Sequence, residues 1–121
     1  MAKQTRIDRV GEWCAAQPSA TVDNTFGLQT NVYRVADKMF ALVNIEGDDF
    51  VTLKALPEDG EALRAQYDFV REGYYMNKRH WITVDLVDGV PMDEVKELIE
   101  ESYRLVFESL PKKRQAELRS G

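Results

Sequence analysis

Nine consecutive residues, Gly73, Tyr74, Tyr75, Met76, Asn77, Lys78, Arg79, His80 and Trp81, set a basic pair and the chain's single histidine between aromatic side chains. An ammonium and a planar guanidinium hold phosphate oxygens, and aromatic faces stack on bases or cover apolar ligand groups. Tyr75, Asn77, Lys78, Arg79, His80 and Trp81 are therefore the first candidates for a binding site, for a nucleic acid or for a small anionic molecule. A structural role fits the same residues: a solvated basic turn whose aromatic neighbours close one end of the core. Imidazole is the side chain suited to general-base work near neutral pH. No nucleophile motif and no second histidine accompany His80, so the expectation is a structural histidine hydrogen-bonded within its own domain, and no catalytic residue is assigned.

A second basic group, Lys112, Lys113 and Arg114, follows Pro111 near the end of the chain. Placed after a helix, these cations favour its negative dipole end, and Lys113 and Arg114 have Glu108 and Glu117 within reach. Lys112 and Lys113 are also candidates for an additional phosphate contact. Glu94, Glu97, Glu100, Glu101 and Glu108 offer the oxygen donors that Mg²⁺ or Ca²⁺ prefers. No Asp/Asn-rich loop with its glycine accompanies them, so a solvated acidic helix face is expected, with no metal and no cofactor. Phosphate-loop and dinucleotide glycine patterns, Gly-x-Ser-x-Gly and zinc-ligand spacings are all missing. The lone Cys14 rules out an internal disulfide and reads as a buried, reduced thiol.

The elements that must position these residues follow from periodicity. Ile7, Val10, Trp13 and Cys14 recur at helical spacing over residues 5–17, and Pro18 stops that helix. Three β-rich runs come next, at residues 32–35, 39–45 and 50–55, separated by Ala36-Asp37 and by Gly47-Asp48-Asp49. The middle run is apolar on both alternations, as a central strand covered on both faces would be. Pro57, Glu58 and Asp59 open a second helix, weakened by Gly60. Residues 69–75 and 81–86 form a further strand pair. Pro91, Asp93 and Glu94 start the longest helix, whose stripe includes Leu98, Ile99, Tyr103 and Val106. Pro111 ends it, leaving a basic tail with room for a short helical turn.

This order of helix, three strands, helix, two strands, helix predicts an α+β fold in which helices pack on a mainly antiparallel, five-stranded sheet. A parallel α/β arrangement needs crossover helices between successive strands, and the first three strands have none. With 121 residues and 44% hydrophobic content, a single domain spanning residues 1–121 is expected. No stretch reaches the roughly 20 apolar residues of a membrane helix, and no apolar signal segment follows Met1. A cytoplasmic protein with no membrane partner is the expectation. A net charge of −5 repels a polyanion at long range, so any DNA contact must be local, weak and salt-dependent.

The chain resembles the MmcQ/YjbR family over nearly its whole length. The landmarks are Phe26-Gly27, Val32-Tyr33-Arg34-Val35, Lys38 with Met39-Phe40-Ala41-Leu42-Val43, Leu53-Lys54, Leu63-Arg64, the run from Gly73 to Trp81, Ser102-Tyr103 and Leu110-Pro111-Lys112-Lys113. The resemblance implies a secretion-chaperone-like fold with the same element order. It also implies a DNA-binding role through a double-wing motif. Two departures are Ala36-Asp37, where relatives usually turn through glycines, and Asp68-Phe69, where a proline is common. Two other classes of function stay open beside DNA binding. A small-molecule protein or enzyme would build a pocket from Tyr75, Asn77, His80 and Trp81; an interaction module would use an apolar patch or sheet edge.

Overall fold

The computed structural model describes residues 5–73 and 77–120. The chain runs α1 (Arg6–Ala15), β1 (Thr21–Asp23), β2 (Thr30–Val35), β3 (Lys38–Asn44), β4 (Phe50–Lys54), α2 (Pro57–Gln66), β5 (Val70–Glu72), β6 (Trp81–Asp85), α3 (Met92–Glu108) and α4 (Lys112–Ser120). It is an α+β fold with a six-stranded sheet in the order β1-β2-β3-β4-β6-β5, antiparallel throughout. Among the described residues no helix is long and apolar enough to cross a membrane.

Local chemistry accounts for the element ends. Thr5 caps α1 in a reciprocal box with Asp8: the Asp8 N–H donates to the Thr5 hydroxyl, and the Thr5 N–H donates to the Asp8 carboxylate. Ala36 and Asp37 make the β2–β3 turn with φ of 49° and 69°, so the hairpin adopts the left-handed turn that matches strand twist even without glycine. Gly60, which weakens α2 in isolation, lets that helix approach the sheet, since a Cβ there would stand 3.3 Å from Ile82 Cγ2.

The core lies between the sheet and the helices. Val10 and Cys14 of α1 and Val95, Ile99 and Val106 of α3 pack on Ala41, Val43, Val51, Leu53, Ile82 and Val84. Burial pushes the Cys14 thiol up to about 12. The opposite alternation carries the row Val32, Leu42, Thr52 and Thr83, also buried, with the two threonine hydroxyls 3.1 Å apart. Central β3 is thus covered on both sides, as its unbroken apolar run requires.

At the start of β3 the ladder is irregular. Tyr33 pairs with Ala41 but Arg34 pairs with Met39, so Phe40 is an extra residue bulged out of register. Phe40 and Ala41 consequently both join the helix-covered core. Ser102, fully buried on α3, donates its hydroxyl to the Phe40 carbonyl at 2.5 Å and accepts the Lys54 N–H at 2.8 Å. The Phe40 ring meets the next residue of α3, Tyr103, edge-on at 5.3 Å.

The structure departs from the sequence reading in an added strand and in the C-terminal tail. The sheet has a sixth strand, β1, because Asp23 is tied to its neighbour strand by Arg34 at 2.7 Å. Hydrogen bonds from Thr25, together with Arg34, hold the Asp23 carboxyl down at about 2. The strand expected at 69–75 is described as β5 over Val70–Glu72, and positions 74 and 75 of that expectation lie outside the described residues. The basic tail is a nine-residue helix, α4, not a short turn. Leu98 is half-buried, whereas Ile99 beside it is fully buried. Ile99→Ala is therefore expected to cost roughly 2–5 kcal/mol in urea unfolding, and Leu98→Ala clearly less. Equal losses, or the reverse order, would contradict this packing.

Candidate functional site

The candidate turn joins β5 to β6 at one edge of the sheet. Gly73 sets its entry: the Gly73 N–H donates to the Trp81 carbonyl at 2.9 Å, and a Cβ at position 73 would lie 2.5 Å from Trp81 Cβ and 2.9 Å from the Trp81 carbonyl oxygen. Only glycine allows the two strands to approach this closely. Tyr75, a candidate from the sequence, lies outside the described residues.

Asn77 organises the exit. Its carbonyl accepts the N–H groups of His80 and Trp81, each at 3.1 Å, and its side-chain oxygen accepts the Arg79 N–H at 2.9 Å. This Asx-type arrangement fixes the turn without help from the core. The His80 carbonyl accepts the Ala55 N–H at 2.9 Å, anchoring the turn to the end of β4. Trp81 then opens β6 opposite Lys54, half-buried, on the alternation away from Ile82 and the core.

The charges of the hairpin are largely paired. Arg71 makes a bidentate contact with Asp85, both bonds 2.7 Å, and Lys78 lies 3.5 Å from Glu72 with both side chains exposed. The Arg79 side chain is exposed and makes no ion pair among the described residues. The half-buried His80 ring has no hydrogen-bond partner among the described residues, so the internal contact anticipated for it is not formed there. Among the described residues no carboxylate orients it either, and no group of three His, Cys, Asp or Glu side chains converges on a common point.

Lys112 and Lys113 stand elsewhere. They open α4, which docks on the last turns of α3: Gln115 Nε2 donates to the Leu110 carbonyl at 2.8 Å, and the Arg119 guanidinium covers the Phe107 ring at 5.1 Å. Leu118 and Arg119 share a cleft with Pro18 and Ser19, which lead into β1 at the other edge of the sheet. Arg114 pairs with Glu117 at 3.2 Å, whereas Glu108 is taken by Arg104. The described contacts thus bring residues 77–81 together and leave Lys112 and Lys113 as a separate group.

Sequence reasoning overlooked Gly73 as a determinant of this geometry. The available signal was a glycine inside a strand pattern, which marks close backbone approach. It also overlooked the cleft at Pro18, Tyr103 and Arg119, which no local pattern announces because its walls come from three separate segments.

A family model described as YjbR matches residues 15–105. The protein named YjbR in Escherichia coli strain K12, described as uncharacterised, is 32% identical over 110 residues, which span 90% of this chain and 93% of that protein. The crystal structure of Deinococcus radiodurans DR2400, whose domain is described as DUF419, superposes with a TM-score of 0.87 at 33% identity, covering 96% of this chain and 91% of that one. A crystal structure from Pseudomonas syringae gives 0.69 at 28% identity, over 87% of this chain and 98% of that one.

Gly73→Ala tests the hairpin geometry. Overpacking against Trp81 is expected to lower stability by roughly 1–3 kcal/mol and to shift the tryptophan emission of the folded protein. Wild-type stability with an unchanged spectrum would contradict the close approach.

Proposed function

The chain belongs to the YjbR family, and on that premise we propose that it is a non-enzymatic binding domain that engages DNA phosphates through the turn carrying Lys78 and Arg79. The observation that carries this reading is an exposed Arg79 guanidinium, free of any carboxylate among the described residues, on a turn already fixed by Asn77. With the turn backbone already fixed, only the freedom of the side chain is lost on meeting a phosphate. Lys78 adds a second cation once it leaves Glu72, an exposed pair of the kind worth at most about 1 kcal/mol. Trp81, half-buried beside the turn, offers an apolar surface to a sugar or a base.

The footprint is small. Net charge of −5 opposes the approach of a polyanion, so affinity rests on short-range contacts at one turn and falls steeply with salt. Lys112 and Lys113, at the start of α4, have no described contact with the turn and are left out of this footprint.

Anisotropy of a labelled duplex at a series of salt concentrations tests the reading. Binding is expected at low salt, with the Lys78→Ala/Arg79→Ala variant lowering the log–log salt slope by roughly two, one unit per phosphate contact. Lys112→Ala/Lys113→Ala is expected to leave the slope unchanged. No binding at low salt, or an undiminished slope in the turn variant, would reject the proposal.

A further inference from the structure

A cleft of about 250 Å³ opens between the segment leading into β1, the last turns of α3 and the end of α4. Pro18, Tyr103, Phe107 and Leu118 form its apolar walls, with Arg119 at its margin. Its volume lies just below the usual range for small-molecule sites, and its mostly apolar lining with few polar groups is typical of them.

Three features distinguish this cleft from an ordinary surface dimple. First, the walls are held in place: the Tyr103 hydroxyl donates to the Pro18 carbonyl at 2.6 Å, and the Tyr103 and Phe107 rings stack at 5.8 Å. Second, Ser19, which also lines the cleft, has φ of 61°, a left-handed conformation that costs a non-glycine residue energy. Third, the charges at the cleft are unequal in their commitments. Arg104 is satisfied by Glu101 and Glu108, so the one carboxylate lining the cleft, Glu108, is already paired. The Arg119 guanidinium carbon lies 5.1 Å from the centre of the Phe107 ring, and the side chain has no carboxylate partner among the described residues.

We propose that this cleft binds a small aromatic carboxylate. The ring occupies the space between Pro18, Phe107 and Leu118, where it gains offset or edge-on contacts with the aromatic walls. The carboxylate meets the fork of Arg119, whose planar donors match its two oxygens. A cavity of this size admits a single ring with a short acidic arm and excludes a dinucleotide. The site is separate from the Arg79 turn, so DNA binding and carboxylate binding fail independently.

Titration of ¹⁵N-labelled protein with benzoate, and with benzamide as its neutral counterpart, tests the assignment. Benzoate is expected to produce saturable shifts at Ser19, Tyr103, Phe107 and Arg119 at or below about 10 mM, the range open to so small a ligand. Benzamide is expected to bind about tenfold more weakly, through loss of the charge-assisted contact. Arg119→Met keeps an apolar cover on Phe107 and removes the charge, and is expected to weaken benzoate to the level of benzamide. Leu118→Trp fills the cleft and is expected to abolish binding of both. Absence of saturable shifts, equal affinity for benzoate and benzamide in the wild type, shifts confined to other residues, or undiminished benzoate binding by Arg119→Met would each overturn the proposal.

Discussion

Ser102 holds the two layers of this fold in register. A bulge at Phe40 leaves a strand carbonyl without its ladder partner, and the β3–β4 pairing ends just there, leaving the Lys54 N–H equally alone. One buried hydroxyl serves both, donating to Phe40 and accepting from Lys54. Unpaired, each of those backbone groups would cost roughly 1–3 kcal/mol in a dry interior. Because a hydroxyl reaches only a hydrogen-bond length, the contact also fixes the height and rotation of α3 over the sheet. The bulge and the helix position are therefore one constraint rather than two.

Both candidate sites inherit that constraint. Tyr103, one residue further along α3, sits against the Phe40 ring that the bulge turns into the core and pins Pro18 with its hydroxyl. Phe107, one turn later, carries Arg119. The aromatic cleft is thus built on the same few residues that close the sheet. On the other side of Ser102, Lys54 pairs with Trp81 and Ala55 with the His80 carbonyl, so the irregular end of β4 also anchors the basic turn. From the turn outward, Gly73 and Asn77 set the geometry with backbone hydrogen bonds, which leaves Arg79 free to face solvent.

Much of the architecture could be read from residue order. The central strand at residues 39–43 is apolar on both alternations and is buried on both faces, and Ala36-Asp37 marks a turn that the backbone takes at positive φ. The elements read incorrectly depend on partners distant in sequence. β1 has only three residues, and its two valine-and-threonine positions would hardly pair without Arg34 reaching back to Asp23. α4 lacks an apolar stripe and is held by Gln115 bonding to the end of α3 and by Arg119 on Phe107. Ser102 reads in sequence as a small gap in a hydrophobic stripe, since nothing local signals that a strand bulge awaits it. For the turn, the candidate residues are contiguous and easily found, but the division between Arg79, which has no ion pair among the described residues, and the paired Lys78 depends on Glu72 across the hairpin.

Amide hydrogen exchange in the Ser102→Ala variant tests the bulge-and-helix constraint most directly. The account predicts a loss of roughly 2–6 kcal/mol in global stability, from two backbone groups left unsatisfied, with the Lys54 amide losing protection beyond what the global change explains. An alanine variant as stable as the wild type, with the Lys54 amide exchanging at its original rate, would contradict it.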